Sequence, residues 1–166
     1  MNHRLILARH GKAEPYGSSD HERELMDRGR QDAARLGAWL AEQQLRPDMA
    51  VVSSSTRTRQ TWRRLADEAG WALEPTIEDS VYNAGPDSVL DVLRGAPADI
   101  ETLLLLGHNP TVGWLANSLD DGEGDPDALM RVMQGFPPAA CAVIELHGDW
   151  SDLADGGGRL VGSWRP

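Results

Sequence analysis

The sequence predicts an α/β protein: a three-layer α/β/α sandwich with a mainly parallel central sheet and an antiparallel C-terminal part. Three observations carry that expectation. Short apolar runs alternate with helical periodicities through residue 119, as successive βαβ units require. The run Thr102 to Leu106 is unbroken, which suits a strand covered on both faces. The last two predicted strands have no helix of crossover length between them, so they should pair as a hairpin.

In chain order, Leu5 to Ala8 reads as a buried strand ending in a Gly-containing turn. Residues 12 to 24 are polar and read as a loop. Asp27 is a candidate cap for a helix whose face is Ala33, Leu36, Gly37, Leu40 and Ala41. Pro47 and Asp48 end that element. Met49 to Val52 is a second strand, and Thr56 to Ala69 a helix closed by Gly70. Trp71 to Ile77 is expected as a strand, with Pro75 pointing to a sheet edge. Pro86 to Leu93 reads as a helix begun through Gly85-Pro86, and Pro110 to about Leu119 as another. Asp120 to Asp127 reads as a solvated acidic loop, since it lacks calcium-loop spacing. A short helix from Ala128 to Gln134 follows, then strands at Ala139 to Leu146 and Leu160 to Trp164.

No repeat or linker divides the 166 residues, so positions 1–166 read as a single domain. The formal net charge of −10 makes nucleic acid a poor partner. The longest aliphatic run, Leu103 to Leu106, is too short to span a bilayer. The basic N-terminus has no adequate apolar stretch before its first charge, so a cytoplasmic location is the default expectation. Cys141, the single cysteine, reads as a buried core thiol.

Three places set an unusual group just past a predicted strand: Arg9-His10-Gly11, Ser53 through Arg57, and Gly107-His108-Asn109-Pro110. Open α/β sheets bind ligands outside the carboxyl ends of their strands. Arg9 and Arg57 each offer a planar fork of donors to phosphoryl oxygens. His10 is the candidate nucleophile, because imidazole is uncharged enough to attack at neutral pH. Gly11 would let the backbone approach a phosphate closely. Asn109, near a helix N-terminus, would add an anion-binding dipole. A metal held by the two histidines is disfavoured, since neighbouring arginines repel a cation. His3, His21 and His147 read as surface or loop residues, with His21 bordering the substrate entrance. Arg59, Arg63 and Arg64 read as solvated helix charges, and Ser53 to Ser55 as a turn and helix cap.

Leu7-Ala8-Arg9-His10-Gly11, Ser53 through Thr61 and Gly107-His108-Asn109-Pro110 stand in an order and spacing that resemble the histidine phosphatase superfamily, across residues 4 to about 165. Within it the chain resembles the small SixA-type phosphohistidine phosphatases, by its length, the segment Leu25-Met26-Asp27-Arg28-Gly29, and an end with Trp164 and Pro166. Met26 stands where that family usually has Thr, which bears on a helix cap that Asp27 could supply. The resemblance implies that His10 becomes a phosphohistidine that water then hydrolyses, with Arg9, Arg57 and His108 on the phosphoryl oxygens. It implies no cofactor and no metal, since arginines and histidines supply the positive charge. Larger members protonate the leaving group with a Glu before a Tyr. The matching stretch is Glu78-Asp79-Ser80-Val81-Tyr82, so Asp79 is the candidate acid and Glu78 its rival. An imidazole leaving group needs that acid less than an alkoxide does. The substrate expected is therefore phosphohistidine in a protein. The alternatives are a small phosphorylated metabolite, such as a sugar or nucleotide phosphate, or a phosphate-binding module without turnover.

Overall fold

The alternation of Leu5 and Leu7 with Ile6 and Ala8 decides how the chain builds its layers. In a computed structural model describing residues 2–166, these four side chains are buried on opposite faces of one strand. The strands are β1 (Arg4–Arg9), β2 (Met49–Ser53), β3 (Thr76–Glu78), β4 (Thr102–Gly107), β5 (Cys141–Leu146) and β6 (Gly158–Trp164). The helices are α1 (Asp27–Glu42), α2 (Thr56–Ala69), α3 (Pro86–Arg94), α4 (Thr111–Ser118) and α5 (Pro126–Met133). The six strands form one sheet in the order β3-β2-β4-β1-β5-β6. β3, β2, β4 and β1 run parallel, while β5 and β6 are antiparallel to their neighbours.

Leu5, Leu7, Leu103 and Leu105 pack under α3, α4 and α5; Ile6, Ala8, Leu104 and Leu106 pack under α1 and α2. This is the expected three-layer sandwich. The predicted hairpin is β5–β6, and β3 is the predicted edge strand. Gly70 closes α2 in the left-handed region, at φ 73°. Cys141 is fully buried, and burial pushes its thiol up to about 12.

Several expectations change. β3 has three residues rather than seven, because Trp71 and Leu73 turn toward the core beneath α2 instead of continuing the strand. α1 is capped by Met26 with no side-chain hydrogen bond, and Asp27 stands inside the first turn. Pro110 caps α4 rather than opening it. α5 begins two residues early, at Pro126, because the Asp125 carboxylate accepts from Ala128 N at 2.8 Å. The Asp120–Asp127 segment does more than face solvent. Asp121 and Asp125 donate backbone N–H bonds to the Gly158 and Leu160 carbonyls at 2.9 and 2.8 Å. That covers the outer edge of β6, which would otherwise present unpaired backbone. His3 is not on the surface: it is 1% exposed and bonds the Ile100 carbonyl through Nδ1 at 2.8 Å. No helix among the described residues is long and apolar enough to cross a membrane.

α1 crosses α2 with Gly37 against Leu65, where an added Cβ would collide with the Leu65 backbone carbonyl. Gly37→Ala is therefore expected to cost about 1–3 kcal/mol, despite the helix preference for Ala. Thermal unfolding should show a Tm lowered by several degrees, roughly 2–4 °C per kcal/mol at this size.

Candidate active site

β1, β4 and β2 end side by side, with Arg9 opposite Gly107 and Val52 opposite Leu106. The groups that follow them therefore converge at one edge of the sheet. They line a cleft of about 820 Å³ together with Asp20, Arg23 and Tyr82.

His10 is 8% exposed. Its Nδ1 lies 2.7 Å from the Gly11 carbonyl oxygen. A carbonyl only accepts, so Nδ1 carries the proton and Nε2 keeps its lone pair. Burial, with His108, Arg57 and Arg9 nearby, lowers the His10 pKa to about 3. The ring is neutral at physiological pH, with its free nitrogen toward Arg57: Arg57 Nε donates to His10 Nε2 at 3.4 Å.

Arg57 stands in the first turn of α2, which Ser55 caps by accepting from Thr58 N. Its guanidinium, 5% exposed, is a hub. Besides His10 it reaches the Asp20 carbonyl at 2.8 Å, the Asp20 carboxylate at 3.3 Å and His108 Nδ1 at 3.5 Å. His108 is held from its other side by Ser53 Oγ, 2.7 Å from Nε2. Because the guanidinium only donates, Nδ1 accepts from it and Nε2–H donates to Ser53. Burial and Arg57 lower the His108 pKa to about 4. Arg9 lines the same cleft, and its Nη1 donates to the Phe136 carbonyl at 3.1 Å.

Three expected site residues sit differently. Gly11 does not line the cleft. Its N–H donates to Thr61 Oγ1 at 3.0 Å, and an added Cβ would stand 2.7 Å from the Gly29 carbonyl oxygen. Its bare Cα admits α1, not a phosphate. Asn109 lines the cleft, but its side-chain amide is committed: it donates to Phe136 O at 2.7 Å and accepts from Gly113 N at 3.1 Å. Asp79 is exposed at the start of a short 3-10 turn and does not line the cleft; neither does Glu78, which accepts from Ser80 at 2.8 Å. Tyr82, three residues on, does face inward.

The carboxylate in the cleft is Asp20. It accepts from Tyr82 OH at 2.5 Å, from Arg57 at 3.3 Å and from Arg23 at 3.0 Å. Its pKa falls to about 2, first through the Tyr82 hydrogen bond and then through the two arginines. Asp20 belongs to a polar segment without periodicity, and nothing in its spacing announces a contact with Arg57, 37 residues on. His21 packs edge-on against Tyr82, 4.8 Å between ring centroids, and bonds Ser54 Oγ at 3.0 Å. It braces the wall rather than lining the cleft. Among the described residues, no group of three His, Cys, Asp or Glu side chains is placed to hold a metal ion.

The family model for the histidine phosphatase superfamily (branch 1) matches residues 5–82. An uncharacterized protein of Mycobacterium tuberculosis is 33% identical over 156 residues, covering 93% of this chain and 96% of the relative. The chain belongs to the histidine phosphatase superfamily. Its fold superimposes on a candidate phosphohistidine phosphatase SixA from Nakamurella multipartitia with TM-score 0.86 and 30% identity, covering 100% of this chain and 97% of that one. The phosphohistidine phosphatase SixA of Escherichia coli is 24% identical over 124 residues, covering 74% of this chain and 77% of the relative. The chain is therefore a phosphatase of SixA type.

Neutral imidazoles amid arginines have a measurable signature. NMR titration is expected to find His10 and His108 uncharged at pH 5, where free imidazole is mostly protonated. The unfolded chain binds protons that the folded cleft refuses, so stability should fall as pH drops from about 6.5 towards 4. Either ring titrating near 6.5 would contradict this electrostatic account. Asp20→Asn keeps the shape of the wall and removes a negative charge beside Arg57. Calorimetric titration with inorganic phosphate should then give a Kd lowered by about threefold to tenfold. Weaker binding would mean that Asp20 chiefly positions Arg57.

Proposed function

We propose that the protein removes the phosphoryl group from phosphohistidine in a protein, through a covalent intermediate on His10. The observation that carries the reading is the Nδ1 bond from His10 to the Gly11 carbonyl, which leaves Nε2 unprotonated beside Arg57. Nε2 attacks phosphorus, and the P–N bond to the substrate imidazole breaks with its electron pair going to the departing nitrogen. Arg9 and Arg57 take the charge on the phosphoryl oxygens, while His108, whose Nε2–H is given to Ser53, steadies the Arg57 guanidinium through Nδ1. Water then attacks the phosphorus on His10, releasing inorganic phosphate and restoring the neutral ring.

The carboxyl groups support the choice of leaving group. An alkoxide must be protonated as it leaves, and a positioned acid is worth roughly 10²–10⁴-fold in rate. Asp20 is the carboxyl group lining the cleft, and with a pKa of about 2 it holds no proton to give at neutral pH. Asp79 stands outside the lining. A phosphorylated imidazole has a second ring nitrogen that takes its proton from solvent, so it departs as a neutral molecule without a positioned acid. The likeness to the SixA phosphatases supports the same substrate class.

Rapid quench after mixing with labelled phosphohistidine protein should trap label on His10, in an acid-labile, base-stable adduct. His10→Ala should give no adduct and a kcat lower by at least about 10³-fold. Markedly faster turnover of sugar or nucleotide phosphates than of phosphohistidine would overturn the substrate assignment. Binding without adduct or phosphate release would overturn catalysis.

A further inference from the structure

We propose that Lys12 and Arg23, which line the same cleft, form an outer anion subsite that takes a carboxylate side chain flanking the phosphohistidine of the substrate protein. The proposal rests on the phosphohistidine reading above and names what the substrate carries next to its phosphoryl group.

Lys12 is the single lysine of the chain, among fifteen arginines and 26 acidic residues. It is exposed, two residues after His10, and it lines the cleft. No carboxylate pairs with it among the described residues, whereas eight of the fifteen arginines have one, Arg4, Arg28, Arg94 and Arg159 among them at 3.3 Å or less. Other cations of the chain lack a carboxylate too, so it is the place of this ammonium on the cleft lining that leaves it for a ligand. Arg23 is half committed. Its Nε donates to Asp20 at 3.0 Å and its Nη1 to the Glu14 carbonyl at 2.8 Å, which leaves Nη2 without an acceptor among the described residues.

The charge count of the cleft says what kind of group is missing. Arg9, Lys12, Arg23 and Arg57 line it against the single carboxylate of Asp20, and both histidines are neutral. Three positive charges are in excess. A phosphoryl group answers two of them at Arg9 and Arg57. One remains, with Lys12 and Arg23 the lining cations left to answer it, and it matches a monoanion: a carboxylate. In a protein substrate, the carboxylate that reaches the cleft mouth together with the phosphohistidine is an Asp or Glu close to it in sequence.

The test uses two phosphohistidine peptides that differ in one flanking residue, Glu or Gln. The wild-type protein should prefer the Glu peptide by about threefold to fivefold in kcat/KM, the range of a partly exposed ion pair. Lys12→Gln should bring that ratio to about one, and Lys12→Glu should invert it. Because Lys12 is the only lysine, reductive ¹³C-methylation gives one side-chain amine signal besides the N-terminus. That signal should shift with the Glu peptide and not with the Gln peptide. A wild-type ratio of one, or a ratio that survives in Lys12→Gln, overturns the subsite while phosphohistidine turnover stands. If neither peptide releases phosphate or labels His10, the phosphohistidine reading itself falls, and the subsite with it. A small phosphorylated carboxylic acid turned over faster than both peptides would give the carboxylate a different source and overturn the proposal.

Discussion

Arg9 of β1 lies opposite Gly107 of β4, and burial on both faces of these strands holds them in that register. Leu5, Leu7, Leu103 and Leu105 feed one core layer, and Ile6, Ala8, Leu104 and Leu106 the other. A slip of one residue would send every side chain to the wrong layer. The same register brings the residues after the two strands together, so that the His10 and His108 rings stand 5.2 Å apart between centroids. The core and the cleft are thus one constraint. The apolar alternation that stabilises the sheet also sets the spacing of the two imidazoles.

The second constraint is electrostatic. Arg57 is nearly buried and carries its charge into a place that also holds Arg9 and two imidazoles. A buried cation without compensation is costly. The chain answers with the loop before α1: the Asp20 carbonyl and carboxylate both meet the guanidinium. Tyr82 and Arg23 then hold that carboxylate in place. Burial and the surrounding cations make protonating either imidazole unfavourable, and this keeps them neutral. The positive field that would receive a phosphoryl group is therefore also the field that keeps the His10 lone pair available.

What the sequence reveals follows from which interactions are local. The strand periods, the αL glycine at Gly70 and the Gly85-Pro86 helix start depend on near neighbours, and each is readable from the chain. His10, Arg57 and His108 are readable because each follows a strand, and strand ends of a parallel sheet meet. Asp20 is not, because its partners lie 37 and 62 residues away and its own segment has no period. Asp79 misleads for a related reason. It has a plausible spacing to Tyr82, but the chain makes a 3-10 turn there, which aims Tyr82 inward and leaves Asp79 in solvent. Gly11 has the right residue type for the wrong purpose, since a backbone of the same chain, that of Gly29, makes the close approach.

The protein is strongly acidic overall and its cleft is cationic, and the two facts act at different ranges. Charges separated by more than about 8 Å in physiological salt are largely screened. The net charge of −10 therefore shapes the distant field and turns away extended polyanions. At contact, the groups that line the cleft decide. There the arginines outnumber the one carboxylate, and that carboxylate is already spent on Arg57, Arg23 and Tyr82. A partner that carries an isolated phosphoryl group on a surface of modest charge meets little far-field repulsion and strong near-field attraction. A side chain projecting from a folded protein fits that description better than a polyanion does. The same asymmetry makes Asp20 the sensitive point of the cleft, because it is the one carboxylate among the residues that line it.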